Sequence, residues 1–162
     1  MKFLVDGMLG GLARWLRILG YEVRYNANAN DNDLLTIADD ESMVLLTRDQ
    51  ELYQRAVAKK IASALVVGGT EEERLAQMAS SFGVRLETNM AETRCPECGA
   101  SLMERSKSDL AEEVPEESLK LYNRFWKCSN RTCGKVYWVG SHWKHIRQTL
   151  EEATKLARLE QR

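Results

Sequence analysis

The sequence has no apolar run long enough to cross a membrane as a helix. Such a helix needs about 20 consecutive apolar residues, and charged side chains interrupt every apolar stretch well before that length. The segment Met1–Asp6 already contains a lysine and an acid, so it lacks the pattern of a signal peptide. We therefore expect a cytoplasmic protein with no membrane partner.

The sequence also lacks an excess of charge of either sign. Its 23 basic and 24 acidic residues give a net charge of −1, which excludes polyanion binding through overall charge. Contact with nucleic acid would require local segregation of charge. With 44% hydrophobic and 29% charged residues in 162 positions, the composition is that of a globular chain with room for one domain and a small module.

Residues 1 to 90 alternate between short strand-like runs and segments with helical periodicity. The strand-like runs are Phe3–Val5, Tyr21–Tyr25, Met43–Thr47 and Ala62–Val67, and helical segments follow each of them. This alternation predicts an α/β fold, with a parallel sheet flanked by helices. The early glycines match neither the GxGxxG nor the Walker pattern, so a nucleotide-binding phosphate loop is unsupported.

Four cysteines in two short motifs predict a metal site in residues 91 to 162. Cys95 and Cys98 form the first knuckle (Cys95–Gly99), and Cys128 and Cys133 form the second (Cys128–Gly134). Four thiolates make a closed tetrahedral site, which is typical of structural zinc. A redox CxxC would leave the second pair unexplained, whereas an iron site remains chemically open with the same ligands. We predict a small zinc ribbon followed by a C-terminal helix from about residue 143 to 159.

Between the two knuckles, residues 106 to 117 are polar and acidic, and we expect them to form an exposed insert. The segment Ser118–Leu150 then contains no acid, but it carries basic and aromatic side chains. Cations beside aromatic rings are typical of single-stranded nucleic-acid binding. The predicted RNA contacts in the ribbon are Arg124, Trp126, Lys127, Arg131, Lys135 and Trp138. The alternative is that the rings form the ribbon core and the lysines confer solubility.

Three acids follow strands or begin helices where a parallel sheet presents its carboxyl edge. These are Asp6 after the first strand, Asp31 after the second and Asp49 after the third. Clustered carboxylates favour Mg²⁺ or Mn²⁺, which can activate water against a phosphodiester. For any one of these acids alone, a helix cap is the more favoured explanation, and it is the three acids together at one edge that indicate a site. Arg14, Arg17 and Arg48 lie nearby and are candidates to steady substrate phosphates, or else they form surface ion pairs, which is the interpretation that we favour for Arg17.

The combination of these motifs resembles the mut-7 C-terminal RNase family, which is PIN-like. The matching residues are Phe3–Leu9 with Leu12–Arg17 and Leu19–Tyr21, Asp31 with Leu34, Leu35 and Ala38, Leu45–Asp49 with Leu52, and the two cysteine knuckles. The resemblance covers nearly the whole chain. It implies a PIN-like nuclease domain in residues 1–90 and a zinc ribbon with a C-terminal helix in residues 91–162. It also implies a metal-dependent site at Asp6, Asp31 and Asp49. Members of the family often have a lysine at the position of Gly11.

The sequence thus predicts a PIN-type ribonuclease that requires Mg²⁺ or Mn²⁺ and whose zinc ribbon binds RNA. The alternative is a non-catalytic adaptor that binds RNA or the ribosome through the ribbon. An ion pair between Asp6 and Arg14 would favour the adaptor. A third alternative is a nuclease that is silent alone and regulated by a protein partner or in a homodimer.

Overall fold

The computed structural model describes all residues from Met1 to Arg162. In chain order, the elements are β1 (Lys2–Val5), α1 (Gly10–Ile18), β2 (Glu22–Tyr25), α2 (Asp31–Asp40), β3 (Val44–Thr47), α3 (Gln50–Ala58), β4 (Ser63–Leu65), α4 (Glu71–Phe82), β5 (Leu102–Arg105), α5 (Glu116–Leu121), β6 (Phe125–Cys128), β7 (Val136–Tyr137) and α6 (Ser141–Glu160). None of the helices has the length and apolar character needed to cross a membrane.

The first four strands form one parallel sheet in the order β2-β1-β3-β4. Phe3 in β1 lies opposite Val23 in β2 and Val44 in β3, and Leu46 lies opposite Ala64 in β4. Parallel strands require a crossover between them, and here each crossover is a helix. The carboxyl ends of the strands therefore share one side of the sheet, which we call the C-terminal edge. The predicted α/β fold with a helix-flanked parallel sheet is confirmed.

Alternating side chains of β1 and β3 supply the two faces of the sheet. Phe3, Val5 and Leu46 join the larger core with α1, α4 and α6. Leu4 and Leu45 point to the opposite face and join a smaller core formed with α2 and α3. Both faces are covered, and this explains why β1 and β3 contain continuous apolar runs instead of an alternation with polar residues.

Two helix boundaries follow directly from local sequence. Thr70 caps α4 by accepting from the Glu73 backbone N–H, and the Glu73 carboxylate accepts in return from the Thr70 N–H. This is the capping box that the sequence predicts. At the end of α1, Gly20 adopts a φ of 92° and donates its N–H to the carbonyl of Arg17. A residue without Cβ is favoured in that conformation.

The last helix, α6, packs against α4 and completes the larger core. Ile146, Leu150 and Ala153 lie in the same buried cluster as Phe3 and Leu16. The boundary predicted after residue 90 stays a prediction, but this helix covers the face of the sheet formed by the first half of the chain. The sheet and its last covering helix are therefore separated in sequence by the ribbon.

The ribbon is a three-stranded antiparallel sheet in the order β5-β6-β7. Its small core contains Phe125 from β6 together with Leu110 and Val114 from the segment between the knuckles. The prediction of a wholly exposed insert was therefore wrong. Its two apolar side chains are buried because the short strands of the ribbon cannot enclose Phe125 by themselves.

We expect Leu150→Ala to destabilise the chain by about 2–5 kcal/mol, because it leaves a cavity in a tightly packed core. The side chain of Leu150 is 4% exposed. Urea unfolding followed by circular dichroism measures the change. Gln148→Ala on the exposed side of α6 is the control, and its effect should stay within about 0.5 kcal/mol. Equal effects of the two substitutions would show that α6 does not contribute to the core.

Candidate functional site

The four cysteines meet at one point between the two knuckles. Their sulfur atoms all lie within 4.8 Å of one another. The Sγ–Sγ distance is 3.7 Å for Cys95 and Cys133 and 3.4 Å for Cys98 and Cys128. Sulfurs bound to a tetrahedral zinc at about 2.3 Å would be about 3.8 Å apart. The cluster therefore fits the predicted zinc ribbon, and it has the donor set of a structural metal site.

The thiols differ in how readily they ionise in the metal-free chain. Burial opposes ionisation of Cys95, but hydrogen bonds from Tyr137 Oη and from backbone N–H groups of the first knuckle outweigh it and lower its pKa to about 7. Burial raises the pKa of Cys128 to about 12. A backbone hydrogen bond from Lys135 favours the Cys133 thiolate, but burial and the neighbouring thiol groups raise its pKa overall. Metal binding must therefore displace protons.

A buried arginine of α1 holds the first knuckle against the parallel sheet. Arg17 is 5% exposed. Its Nη1 donates to the carbonyls of Pro96 and Glu97 at 3.1 and 3.2 Å, and its Nη2 donates to the carbonyl of Val23 at 3.1 Å. The sequence led us to expect Arg17 in a surface ion pair, and that interpretation was wrong. Arg17 lies off the apolar stripe of Trp15 and Leu19, so the helical pattern gave no signal that it is buried.

The charged form of Arg17 is opposed by burial and favoured by the neighbouring cysteines. Burial lowers its pKa, and the nearby Cys98 and Cys95 oppose that shift. A zinc ion with four thiolates carries a double negative charge, so a guanidinium beside the site would offset it. A Cβ on Gly99, whose φ is 79°, would lie 3.0 Å from Arg17 Nε. The glycine after Cys98 is therefore required both by backbone conformation and by this contact.

The segment before the first cysteine also binds the end of α1. The Arg94 backbone N–H donates to the carbonyl of Arg17 at 2.9 Å, and Thr93 Oγ1 donates to the carbonyl of Ile18 at 2.8 Å. These donors satisfy carbonyls that the end of a helix leaves free. The metal site and the parallel sheet are thus joined through α1.

At the C-terminal edge, one threonine links two of the candidate catalytic acids. Thr47, the last residue of β3, is fully buried and donates its Oγ1 hydrogen to Asp6 Oδ2 at 2.7 Å. The same oxygen accepts from the Asp49 backbone N–H at 2.9 Å. Asp6 Oδ1 also accepts from the Gly7 N–H. Asp6 and Asp49 therefore flank one hydroxyl, and Thr47 was not a candidate in the sequence.

The three acids differ in their other partners. Asp49 caps α3, and its Oδ1 accepts from two backbone N–H groups, as one alternative reading of the sequence predicted. Asp31 lies in the first turn of α2, but Asn30 is the cap, and Asp31 forms a 3.7 Å ion pair with Arg55. The four cysteines are the only group of three or more His, Cys, Asp or Glu side chains that is placed to hold one metal ion. The three carboxylates do not form such a group.

Most of the cations proposed for RNA contact have acidic partners within the chain. The pairs are Arg14 with Glu97, Arg124 with Glu104, Lys127 with Glu113, and Lys135 with Glu97. Arg48 donates to the Gly68 carbonyl, and Arg131 has no ion-pair partner. Glu104 lies in β5, and Glu113 lies in the acidic segment of residues 106 to 117. These acids neutralise much of the basic surface that the sequence indicates.

The aromatic side chains proposed for RNA contact serve the ribbon itself. Trp138 packs against Phe125 with ring centroids 5.8 Å apart. Trp126 is 5% exposed, and the guanidinium of Arg124 lies 5.0 Å from its ring centroid. Trp138 therefore packs on the ribbon core, whereas Trp126 lies outside that cluster but is buried and presents little surface for a base to stack on.

A comparison with known protein families finds the Mut7-C RNAse domain across residues 1–150. The chain belongs to this family. No curated protein and no solved structure matches the chain. The Mut7-C match includes the parallel sheet, both knuckles and the first half of α6, so the sheet and the ribbon belong to one family unit. The resemblance that the sequence motifs indicate is confirmed.

Zinc binding by this Mut7-C chain should release a proton from each of Cys128 and Cys133, because both thiols have pKa values raised above their usual range. Zinc affinity should therefore rise with pH from about 6 to 9. Calorimetry in buffers of different ionisation enthalpy counts the protons. Cys128→Ser should release fewer protons and bind zinc more weakly. A pH-independent affinity would contradict the assignment of the metal ligands.

We expect Arg17→Met to destabilise the zinc-loaded Mut7-C chain by about 2–4 kcal/mol, because buried carbonyls would lose their donors. Zinc should also pass to a chelator faster, since the first knuckle would be held less firmly. Chemical unfolding and a chelator competition assay measure the two effects. Arg14→Met on the same helix removes only an exposed ion pair and should cost less than about 1 kcal/mol. Equal losses would refute the role of Arg17.

Proposed function

We propose that the chain is a metal-dependent ribonuclease of PIN type that hydrolyses RNA phosphodiesters. Membership of an RNase domain family supports this function. The single structural observation that carries it lies at the C-terminal edge, where the Thr47 hydroxyl donates to the Asp6 carboxylate and accepts from the Asp49 backbone N–H. Ligand sites in open parallel sheets form at this edge.

The donor chemistry of the edge suits a hard divalent cation. Asp49 uses Oδ1 for capping and leaves Oδ2 free of hydrogen bonds, while each oxygen of Asp6 accepts one hydrogen bond and has a further lone pair. Asp31 completes the set in our proposal, in competition with its ion pair to Arg55. A bound Mg²⁺ or Mn²⁺ would make water more acidic and offset charge on the phosphodiester.

The protein groups have separate tasks in this proposal. Thr47 fixes the positions of Asp6 and Asp49 relative to each other, because one hydroxyl serves both residues. Arg48 and Arg14 would steady phosphate oxygens. Arg48 would first release the Gly68 carbonyl, and Arg14 would first release Glu97. The zinc site has no open position, so its task is to hold the ribbon in place.

We further propose that the ribbon contributes to RNA binding through Arg124, Lys127, Arg131 and Lys135. Three of these cations lie in exposed or half-exposed ion pairs with acids of the same chain. Such pairs contribute about 0–1 kcal/mol each, so phosphates can compete for the cations. Salt should weaken RNA binding accordingly.

The rival function is a non-catalytic adaptor that binds RNA or the ribosome. An ion pair between Asp6 and Arg14 would support it, but Arg14 pairs with Glu97 at 2.9 Å, and Asp6 accepts from Thr47 and Gly7 instead. The charge of Asp6 is therefore not neutralised by a cation of the chain. That observation favours a site for an external cation.

We expect the zinc-loaded wild type to bind Mn²⁺ in the millimolar range or more tightly, and Asp6→Asn with Asp49→Asn to abolish that binding. Asparagine keeps the capping hydrogen bonds but removes the charge. Mutation of a residue that only hydrogen-bonds to a metal ligand lowers activity by about 10- to 100-fold. Loss of two carboxylate ligands should therefore lower RNA cleavage by about 100-fold or more. Calorimetry and a gel assay of RNA cleavage measure the two effects.

The control is Asp39→Asn with Asp40→Asn, which removes the same charge from exposed positions of α2. Cleavage and Mn²⁺ binding should both remain at the wild-type level. Absence of Mn²⁺ binding and of cleavage in the wild type would refute the nuclease proposal and favour the adaptor. A partner-regulated nuclease would instead bind Mn²⁺ without cleaving RNA.

A further inference from the structure

A groove of about 690 Å³ separates α1 from the first turns of α6. Its volume falls within the range of about 300–1,000 Å³ that is typical of ligand clefts. Gly10 and Tyr25 line the groove on the side of the parallel sheet, and Glu97 of the first knuckle lines the ribbon side. His142 and His145 of α6 also line it. The groove therefore runs between the two halves of the chain.

The sheet end of the groove lies next to the candidate catalytic acids. Tyr25 is the last residue of β2, and its hydroxyl donates to the Gly7 carbonyl at 2.8 Å. The Gly7 backbone N–H in turn donates to Asp6 at 2.7 Å. Gly10 lies against the same tyrosine, since a Cβ there would be 2.9 Å from its hydroxyl oxygen. One residue thus connects the groove wall to the loop that holds Asp6.

The α6 side of the groove offers polar groups that no intramolecular partner uses. His142 and His145 are both exposed, and neither makes a hydrogen bond or an ion pair. Their ring centroids are 6.5 Å apart. The ribbon cations differ from them in this respect, because most are paired with acids. The first turn of α6 also contains no acid.

The acids of the groove favour a ligand with hydrogen-bond donors as well as negative charge. Glu97 is already paired with Arg14 and Lys135. Glu71 has no cation partner, and its Oε1 lies 3.5 Å from the position of a Cβ on Gly11. A free carboxylate repels phosphate, but it accepts from ribose hydroxyls and base amino groups. RNA offers both of these donors together with phosphates and stacking surfaces.

We propose that this groove carries a single strand of RNA from the ribbon to the C-terminal edge. His142 and His145 contact the strand through stacking and hydrogen bonds, and Glu71 accepts from its sugars or bases. This inference rests on the proposed function for the identity of the ligand. It adds a binding path that includes none of the candidate catalytic acids and none of the four ribbon cations. The path does include Glu97, which pairs with Arg14 and Lys135.

The test measures binding separately from cleavage. An Asp6→Asn parent, loaded with zinc, is titrated into a fluorescein-labelled RNA of about 12 nucleotides, and anisotropy gives the affinity. Stacking of one base contributes enough for about a fivefold or larger change in affinity. We therefore expect His142→Ala with His145→Ala to weaken binding by about tenfold or more. Both side chains are exposed, so the fold and zinc content should be unchanged.

Lys144→Ala is the matched control, because it lies between the two histidines, is exposed and does not line the groove. Its effect should stay within about twofold. If Lys144→Ala weakens binding as much as the histidine pair, diffuse charge explains the binding and the groove proposal is wrong. Unchanged binding in the histidine pair overturns the proposal as well.

Crosslinking separates this inference from the proposed hydrolysis. A 4-thiouridine RNA irradiated on the parent should label peptides of α1 and of the first turns of α6. Labels confined to β6 and β7 would overturn the groove while leaving the nuclease proposal intact. If peptides of the groove are labelled and the wild type never cleaves RNA, the groove proposal is supported and the proposed hydrolysis is refuted. Absence of all RNA binding by the parent would overturn the groove.

Discussion

The enclosed guanidinium of Arg17 is the interaction on which the arrangement of the two halves depends. A buried charge is costly unless it is hydrogen-bonded, and here three backbone carbonyls from β2 and the first knuckle accept from its two Nη groups, while its buried Nε has no partner. Those carbonyls are fixed because the knuckle is closed by the cysteine cluster. The metal site, α1 and the sheet are thus mutually dependent, and a change in one will be transmitted to the others through a single side chain.

The parallel sheet could be predicted from the sequence because the local sequence pattern and the tertiary packing favour the same structure there. In β3, the residues Val44 to Leu46 are apolar, as expected for a strand covered on both faces, and the strand ends in the polar Thr47 at the C-terminal edge. The capping box at Thr70 and the glycine that follows α1 mark helix ends without reference to any distant contact. The spacing of the cysteines was equally informative, since it reflects the geometry of one ion.

The remaining features depend on contacts between distant residues, which no local pattern encodes. Residues 106 to 117 look like a solvated loop, yet Leu110 is buried because Phe125 needs a cover. The acid-free stretch looks strongly basic, but Glu104 and Glu113 fold back to neutralise it. Asp6 could be placed at the sheet edge from its sequence position, whereas the hydroxyl of Thr47 between Asp6 and Asp49 required the register of β1 and β3.

The packing of α6 on α4 has a consequence for how the protein is made. A ribosome delivers the chain from its N-terminus at about 5–20 residues per second. Roughly 80 residues separate the end of α4 from the end of α6, so the part of the core that α6 completes stays open for roughly 4–16 seconds. The cysteine knuckles emerge within that interval. The ribbon thus has its full set of thiols before α6 closes the core, and until then the nascent chain presents apolar surface to chaperones and proteases.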